Sequence, residues 1–501
     1  MNSKVGSVLL LADQPWQLRI MSEVVKLLRL SSRSLQVKIL TTDYYTFLHQ
    51  ASLIKEIRAQ GVDVGTLEEL YRTWQIEEEP NFTHVERQEL STSFKDFDLE
   101  FLKKTNQWIY GDERNRFYLP MSEMWKEKIF RDTLFWCKSE IERFKPNKIY
   151  SIERSTLPNN IIFEIAKRTG IVHKTLIPAR IDNYWYFRDD FGRGATEKFV
   201  LEIESLMPTK EEEEKINNWI TQLISTKSGA YESLEFELTQ SLLVDRFTST
   251  RKFLKEILDN CKKVYARFYE RSNFKFKIVR LEQSLVKLTF SQFRQTWLIF
   301  LYSVGIWNPF QNIEKEQTFF LWALHSRPEG SVLALNNGQD EIQQLFELAD
   351  QLPDGVVLVV KENIEMLGLR EPGFYRRISA NPKIVLLDPE TNLKDLCNLA
   401  VGVIGISGTF LLEAALYDKP VFALGRPEFI SVLGNSISQN ANDFVLRTIA
   451  GENLSTYQKA RKYLAFIFQN GFDAKYKLFD NRLCDSNSKI VQELIREIST
   501  S

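Results

Sequence analysis

The segment from Val403 to Gly425 reads VIGISGTFLLEAALYDKPVFALG, and its small and polar residues are spaced as in a ligand-binding turn. An apolar run leads into the turn Ser407-Gly408-Thr409, and a short predicted helix follows with Glu413 in its first turn. Gly408 would let a ligand approach the backbone closely, and the N–H groups at a helix start favour a phosphate. The carboxylate of Glu413 could accept hydrogen bonds from sugar hydroxyls. The segment therefore predicts a site for a phosphate and its attached sugar.

A purely structural explanation of the same residues stays open. Ser or Thr at a helix start is a normal capping residue, and Glu in the first turn is a normal partner for the helix dipole. The local pattern does not separate the two explanations.

Composition indicates an ordinary globular protein. The 501 residues carry a net charge of −1, with 44% hydrophobic and 26% charged residues, which gives no indication of a nucleic-acid binder. The four cysteines are far apart and lack metal-ligand spacing, so neither a disulfide framework nor a zinc site is predicted. The apolar run before Asp13 is too short for a secretory signal, so we expect a cytoplasmic protein.

Two regions alternate between strand and helix patterns. Near the start, SVLLLAD and QVKILTTD flank the helical QLRIMSEVVKLLRL, and KIYSI and HKTLIPARI follow later. The pattern returns in TFFLWALH, DGVVLVVKE, NPKIVLLD, AVGVIGIS and KPVFALG. Such alternation is typical of parallel sheets in an α/β protein. We predict two Rossmann-like, doubly wound domains facing a cleft, with ligands bound outside the carboxyl ends of the strands.

Four segments follow from this pattern. Residues 1–205 are predicted to form an N-terminal Rossmann-like domain on the acceptor side, with a helical insertion at about 60–140. Residues 206–315 are predicted to form a charged helical insertion. Residues 316–450 would form a C-terminal Rossmann-like domain for the donor nucleotide, and residues 451–501 would form C-terminal helices.

Residues 319–425 resemble the C-terminal half of bacterial capsule and surface-polysaccharide biosynthesis proteins, a group that includes Kdo transferases of GT-B architecture. The matching motifs are His325 followed by Pro328-Glu329, the strand Leu352–Glu362, the LGLR turn Leu367–Arg370, and the Ser-Gly-Thr turn with Glu413 and Lys419-Pro420. The N-terminal half is similar only through the segment Gly170–Ile181. The resemblance implies a GT-B-like fold and a nucleotide-sugar donor.

The resemblance also implies which residues bind the donor nucleotide. They are His325, Arg327, Glu329, Lys361, Glu362, Ser407, Gly408, Thr409 and Glu413. Where the family reads Lys-Glu-His-Pro, this chain reads Lys-Glu followed by Asn363-Ile364, and so lacks the pair that resembles a cytidine-nucleotide contact.

Structural roles for several of these residues stay open. His325 could cap a neighbouring carbonyl, and Arg327 could pair with Glu329 on the surface. Lys361 and Glu362 are adjacent, so only one of them would face the cleft if the strand continues.

Two carboxylates are candidates for a catalytic base. Asp13 follows the first strand, and Glu153 follows KIYSI at the equivalent position, so both loops should face the cleft. Asp13 could instead cap the helix that begins near Pro15, and Glu153 could pair with Arg154. The sequence favours Asp13, because no cation stands beside it.

Residues 251–290 contain eleven Lys or Arg and four Asp or Glu, a net charge of +7, with interspersed aromatic residues. Such a helical face could contact an anionic membrane or an acidic glycan, which binding to anionic vesicles would test. A solvated helix face with acidic neighbours is the alternative.

The sequence thus predicts a glycosyltransferase of surface-polysaccharide assembly that needs no cofactor or metal. Its partners would be a nucleotide-sugar donor and a glycan or glycolipid acceptor. We expect it in the cytoplasm, where it could also bind peripherally at the inner face of the cell membrane. The alternatives are a nucleotide-sugar epimerase and a non-catalytic assembly or export factor that kept the fold.

Overall fold

The structure is a computed structural model that describes most of the chain. The described residues are 6–31, 35–42, 51–67, 70, 84–104, 123–153, 156–189, 196–225, 258–259, 261–262, 285–314, 316–325, 335–336, 339–363, 366–389, 391–427, 429, 440–476 and 481–500. The basic segment 251–290 lies mostly outside this part, so its contact with a membrane stays a prediction. Among the described residues, no helix is long and apolar enough to cross a bilayer.

Twelve strands in the described residues form two sheets. The first sheet has the order β12-β6-β5-β4-β1-β2-β3 and the second β11-β10-β7-β8-β9. The strands are β1 (Ser7–Ala12), β2 (Gln36–Thr41), β3 (Asp63–Gly65), β4 (Lys148–Ile152), β5 (Val172–Pro178), β6 (Tyr184–Arg188), β7 (Thr318–Ala323), β8 (Val356–Lys361), β9 (Ile384–Leu387), β10 (Gly402–Gly405), β11 (Val421–Ala423) and β12 (Phe472–Asp473). All pairs are parallel except those of β6 with β5 and with β12.

Helices connect the strands and cover the sheets. In chain order the described α-helices are α1 (Pro15–Ser31), α2 (Ala51–Ala59), α3 (His84–Ser93), α4 (Leu99–Lys104), α5 (Glu123–Phe144), α6 (Leu157–Thr169), α7 (Glu197–Ser205), α8 (Lys210–Ser225), α9 (Leu285–Ser303), α10 (Glu341–Gln351), α11 (Phe374–Ser379), α12 (Leu393–Leu399), α13 (Phe410–Leu416), α14 (Ala441–Ile449), α15 (Tyr457–Asn470) and α16 (Lys489–Thr500). The predicted α/β class with two parallel sheets is confirmed, while the domain boundaries stay predictions.

The side chains of β1 alternate between two buried clusters. Leu9 and Leu11 pack in the cluster that contains residues of α5 and α6. Val8 and Leu10 face the opposite side, where the cluster contains residues of α1 and α16. Both faces of the first sheet are therefore covered, as a largely parallel sheet requires, and β1 reads as an almost wholly apolar run.

The C-terminal segment returns to the first sheet, which the sequence did not indicate. After α15, strand β12 pairs antiparallel with β6, through Phe472 opposite Trp185. Helix α16 then packs in the same buried cluster as α1. The prediction of helices for 451–501 is incomplete, because this segment also supplies an edge strand.

A third buried cluster joins the two sheets. It contains Ile177 of β5, Phe319 of β7 and Tyr463 of α15. It also contains Ala179, just beyond β5, and Leu411, in the first turn of α13. The carboxyl end of β5 and the helix that follows β10 thus share one apolar core.

Candidate functional site

The second sheet has its topological switch point between β7 and β10. The chain proceeds from β7 to β8 and β9 on one side, whereas β10 and β11 lie on the other. Val403 of β10 pairs with Leu321 of β7, so both strands end at the same edge. In doubly wound sheets, the crevice at such an edge is where ligands bind.

His325 and Gly408 meet at this edge. A Cβ atom added to Gly408 would lie 3.3 Å from Nε2 of His325. The two residues are far apart in sequence, and the sheet order brings them together. Because Gly408 has no side chain, the imidazole approaches the turn more closely than another residue would comfortably allow.

Glu341 holds His325 in this position. Its Oε1 accepts a hydrogen bond from the backbone N of His325 at 3.1 Å and lies 2.8 Å from the ring Nδ1. Glu341 is the first residue of α10, after the N-cap Asp340, and is only 1% exposed. His325 therefore contacts a buried carboxylate. The sequence did not predict Glu341 as a site residue. The only sequence signal for it was its position as an acidic residue at the start of a predicted helix.

Arg370 and Glu362 form a buried ion pair beside His325. Nη2 of Arg370 donates to a Glu362 carboxylate oxygen at 2.7 Å, and Nε donates at 3.1 Å and 3.2 Å. Nη2 also donates to the carbonyl oxygen of His325 at 3.1 Å. Burial alone would lower the pKa of Arg370, but the carboxylates of Glu362 and Glu341 outweigh it and raise that pKa. The carboxylate of Glu362 thus faces Arg370 inside the protein.

Lys361 ends β8 at the same edge, opposite Ala323 of β7. Its side chain is 9% exposed, and this burial lowers its pKa to about 8, although nearby Asp388 partly offsets the shift. The ammonium group therefore keeps most of its charge at neutral pH and loses it a little above. Lys361 and Glu362 are both buried, the first near Asp388 and the second against Arg370.

The turn before α13 is half-buried, and α13 begins at Phe410 as predicted. Thr409 occupies the N-cap position, but its side chain makes no capping hydrogen bond to the described residues. Glu413 is nearly buried and lies close to Tyr417, whose pKa is raised by burial and by this carboxylate. The capping explanation therefore does not account for Thr409. Arg327 and Glu329 lie outside the described residues.

Asp13 lies at the switch point of the first sheet, between β4 and β2. It is 1% exposed, and its carboxylate accepts hydrogen bonds from the hydroxyls of Thr42 and Thr156 and from the side-chain amide of Asn159. Its backbone N donates to Gln17, whose amide donates in turn to the carbonyl of Ile152. Asp13 thus ties the end of β1 to the ends of two neighbouring strands and to the start of α6.

Glu153 is the more accessible of the two carboxylates. Its side chain is 22% exposed, and its Oε1 lies 3.5 Å from Nη2 of Arg180. The backbone of Glu153 has φ of 52°, and Arg180 and Asp182 beyond β5 also have positive φ values. Left-handed backbone is costly for residues with a Cβ and tends to occur at functional sites. Arg154, the predicted partner of Glu153, lies outside the described residues.

Among known proteins, the chain is similar only to solved structures, and at low sequence identity. No family model matches the chain, and no curated protein matches it, so the resemblance to surface-polysaccharide proteins rests on its motifs. Solved structures do match. UDP-GlcNAc 2-epimerase from Neisseria meningitidis bound to UDP-GlcNAc is 13% identical, with 92% of this chain and 99% of that chain covered and a TM-score of 0.23.

Two further solved structures are similar over nearly their whole length. The MnaA–UDP structure from S. aureus is 13% identical, covers 99% of this chain and 98% of its own, and has a TM-score of 0.26. A spinosyn rhamnosyltransferase complexed with spinosyn aglycone is 10% identical, covers 93% and 96%, and has a TM-score of 0.25. With these scores, the similarities establish neither substrate nor activity for this chain.

Proposed function

We propose that the chain is a glycosyltransferase that moves a sugar from a nucleotide-activated donor to a glycan or glycolipid acceptor of a surface polysaccharide. The observation that carries this proposal is the approach of the His325 imidazole to Gly408 at the switch point of the second sheet. A nucleotide donor would bind here with its phosphates near the turn Ser407–Thr409. The acceptor would bind at the carboxyl end of the first sheet.

The groups at the second-sheet edge suit a departing nucleotide. Negative charge develops on the leaving phosphate during sugar transfer, and fixed donors aimed at that charge stabilise the transition state. Lys361 supplies an ammonium group at the end of β8, and the ring of His325 lies beside Gly408, where its Nε2 can accept a hydrogen bond from a sugar hydroxyl. Arg370 is already paired with Glu362, so its role is to support this edge.

At the first-sheet edge, the geometry favours Glu153 over Asp13 as the base that deprotonates the acceptor hydroxyl. A base must come within hydrogen-bond reach of the proton that it removes. Glu153 is partly exposed, whereas Asp13 is buried and accepts hydrogen bonds from three side chains. This order of preference is the reverse of the one that the sequence suggested.

A nucleotide panel tests the proposed function. We expect one of UDP, CMP, GDP or their monophosphate and diphosphate counterparts to raise the melting temperature, because a ligand that binds only the native state stabilises it. At one hundred times its dissociation constant, the gain is about 2.7 kcal/mol. The matching nucleoside and inorganic phosphate serve as controls, and neither should produce the full shift.

The panel also separates the alternatives. Stabilisation by no nucleotide would contradict the proposed donor site and favour a non-catalytic assembly factor. A nucleotide sugar that changes its sugar configuration with no acceptor present would instead identify an epimerase.

We expect transfer to need no divalent metal. Lys361 places an ammonium group where charge develops, and this group can serve in place of a metal cation. The measurement is sugar transfer with and without EDTA, after the protein has been dialysed against the chelator. Loss of activity in EDTA with recovery on adding Mn²⁺ or Mg²⁺ would contradict the expectation.

A further inference from the structure

The carboxylate of Glu341 fixes both the main chain and the ring of His325. One oxygen, Oε1, accepts from the backbone N–H and lies 2.8 Å from Nδ1 of this residue. A carboxylate in its ionised state has no proton to donate, and opposite such a carboxylate Nδ1 carries the hydrogen. The other ring nitrogen, Nε2, is the one directed at Gly408.

A second buried group holds the same residue from another side. Arg370 donates to the carbonyl oxygen of His325, and the ion pair with Glu362 fixes the guanidinium. The backbone N–H and C=O of His325 are thus both bound by charged side chains. Hydrogen bonds to charged groups are stronger than neutral ones, so this arrangement restricts the ring orientation.

The burial of Glu341 needs an explanation beyond packing. An ionised carboxylate with almost no exposure loses its hydration, at a cost of several kcal/mol unless other groups compensate for it. An apolar side chain at the start of α10 would avoid this cost. The shortest hydrogen bond that the described residues make to this carboxylate comes from Nδ1 of His325.

We propose that Glu341 is a positioning residue, which directs Nε2 of His325 toward the nucleotide held at the turn Ser407–Thr409. The proposal rests on the proposed function of this site. Glu341 itself does not contact the nucleotide. It keeps the hydrogen on Nδ1 and prevents the ring from rotating away, so that the lone pair of Nε2 is presented as an acceptor to a sugar hydroxyl of the nucleotide.

Three variants test this role by titration with UDP and with CMP. Glu341→Ala should weaken binding of the nucleotide by about tenfold, the effect of losing one well-placed hydrogen bond to the ligand. Glu341→Gln should stay within about threefold of the parent, since its amide oxygen accepts the same bonds. Glu347→Ala, at an exposed position of the same helix, is the matched control and should leave affinity unchanged.

The ring state gives a readout that a purely structural role would not change. The chain has four histidines, so ¹⁵N-histidine labelling yields few signals to assign. In the parent and in Glu341→Gln, the neutral ring of His325 should carry its hydrogen on Nδ1. In Glu341→Ala, the two tautomers should mix.

Three outcomes would overturn the proposal. They are a parent spectrum with the hydrogen on Nε2, a folded Glu341→Ala variant with unchanged affinity, and a loss of affinity in Glu341→Gln as large as in Glu341→Ala. If Glu341→Ala does not fold, the proposal is tested by the nucleotide affinity of Glu341→Gln and by the ring state of His325 in the parent. If the parent binds no nucleotide, the proposed function fails, while the ring state still tests the positioning of His325.

Discussion

The Glu153→Gln variant should lose turnover by ~10²- to 10⁴-fold, while its affinity for the donor nucleotide stays nearly unchanged. Glu153 lies at the end of β4 with a partly exposed carboxylate and a left-handed backbone. Glutamine keeps the shape of the side chain but cannot take a proton from an acceptor hydroxyl. The nucleotide is assigned to the other sheet, so its binding should not depend on this carboxylate. Steady-state kinetics and nucleotide titration measure the two quantities.

Asp13→Asn is the matched comparison at the same edge. We expect it mainly to lower stability, by about 1–3 kcal/mol, because an amide group would face the donors that now bind the carboxylate. Denaturant unfolding measures this change. Near-parental turnover in Glu153→Gln, together with a large loss in Asp13→Asn, would restore Asp13 as the candidate base. Loss in neither variant would favour a non-catalytic protein.

Gly408→Val should weaken nucleotide binding by at least ~100-fold and leave the fold intact. A Cβ atom at this position already approaches Nε2 of His325 to 3.3 Å, and the two methyl groups of valine would occupy the space between turn and ring. The backbone of Gly408 is not left-handed, so valine brings no backbone strain of that kind. A phosphate kept away from the turn loses the hydrogen bonds that it would make there, each worth ~10-fold or more because the phosphate is charged. The measurement is the melting shift produced by the nucleotide that stabilises the parent.

Gly405→Ala controls for crowding near the same turn. Its added Cβ would meet Leu411 at 3.3 Å, as tight as the contact at Gly408 but against an apolar side chain. This variant should still bind the nucleotide. If Gly408→Val keeps the parental melting shift, the turn is not the nucleotide site.

The sequence predicted the elements whose pattern is local. Strands β1, β7 and β8 are almost wholly apolar because both faces of each sheet are covered. Helix α6 ends before Gly170, whose φ of 71° suits glycine best, and a glycine just past the last turn is typical of a helix end.

Elements that depend on distant partners were missed. Strand β3 lies within the segment predicted to be a helical insertion, and has only three residues. Strand β12 has two residues and is recognisable only by its pairing with β6. Such short strands carry too little pattern to separate them from loops.

In the candidate site too, residues with a local pattern could be predicted, whereas residues that depend on distant partners could not. The turn at Gly408 and the strand end at His325 each have a recognisable local pattern, so both entered the prediction. The role of Glu341 could not be predicted, because its contact with His325 depends on how α10 packs beside β7. Likewise the residue type of Glu362 does not reveal that Arg370 occupies its carboxylate.

The return of the C-terminal segment to the first sheet sets an order for folding on the ribosome. Strand β12 and helix α16 complete the sheet and the cluster around α1, yet they are translated after every strand of the second sheet. While residues 472–500 are still to be made, the apolar face of α1 that packs against α16 remains open to water. The second sheet, whose strands all lie between Thr318 and Ala423, has no such delay. The half of the protein that is synthesised first is therefore completed last.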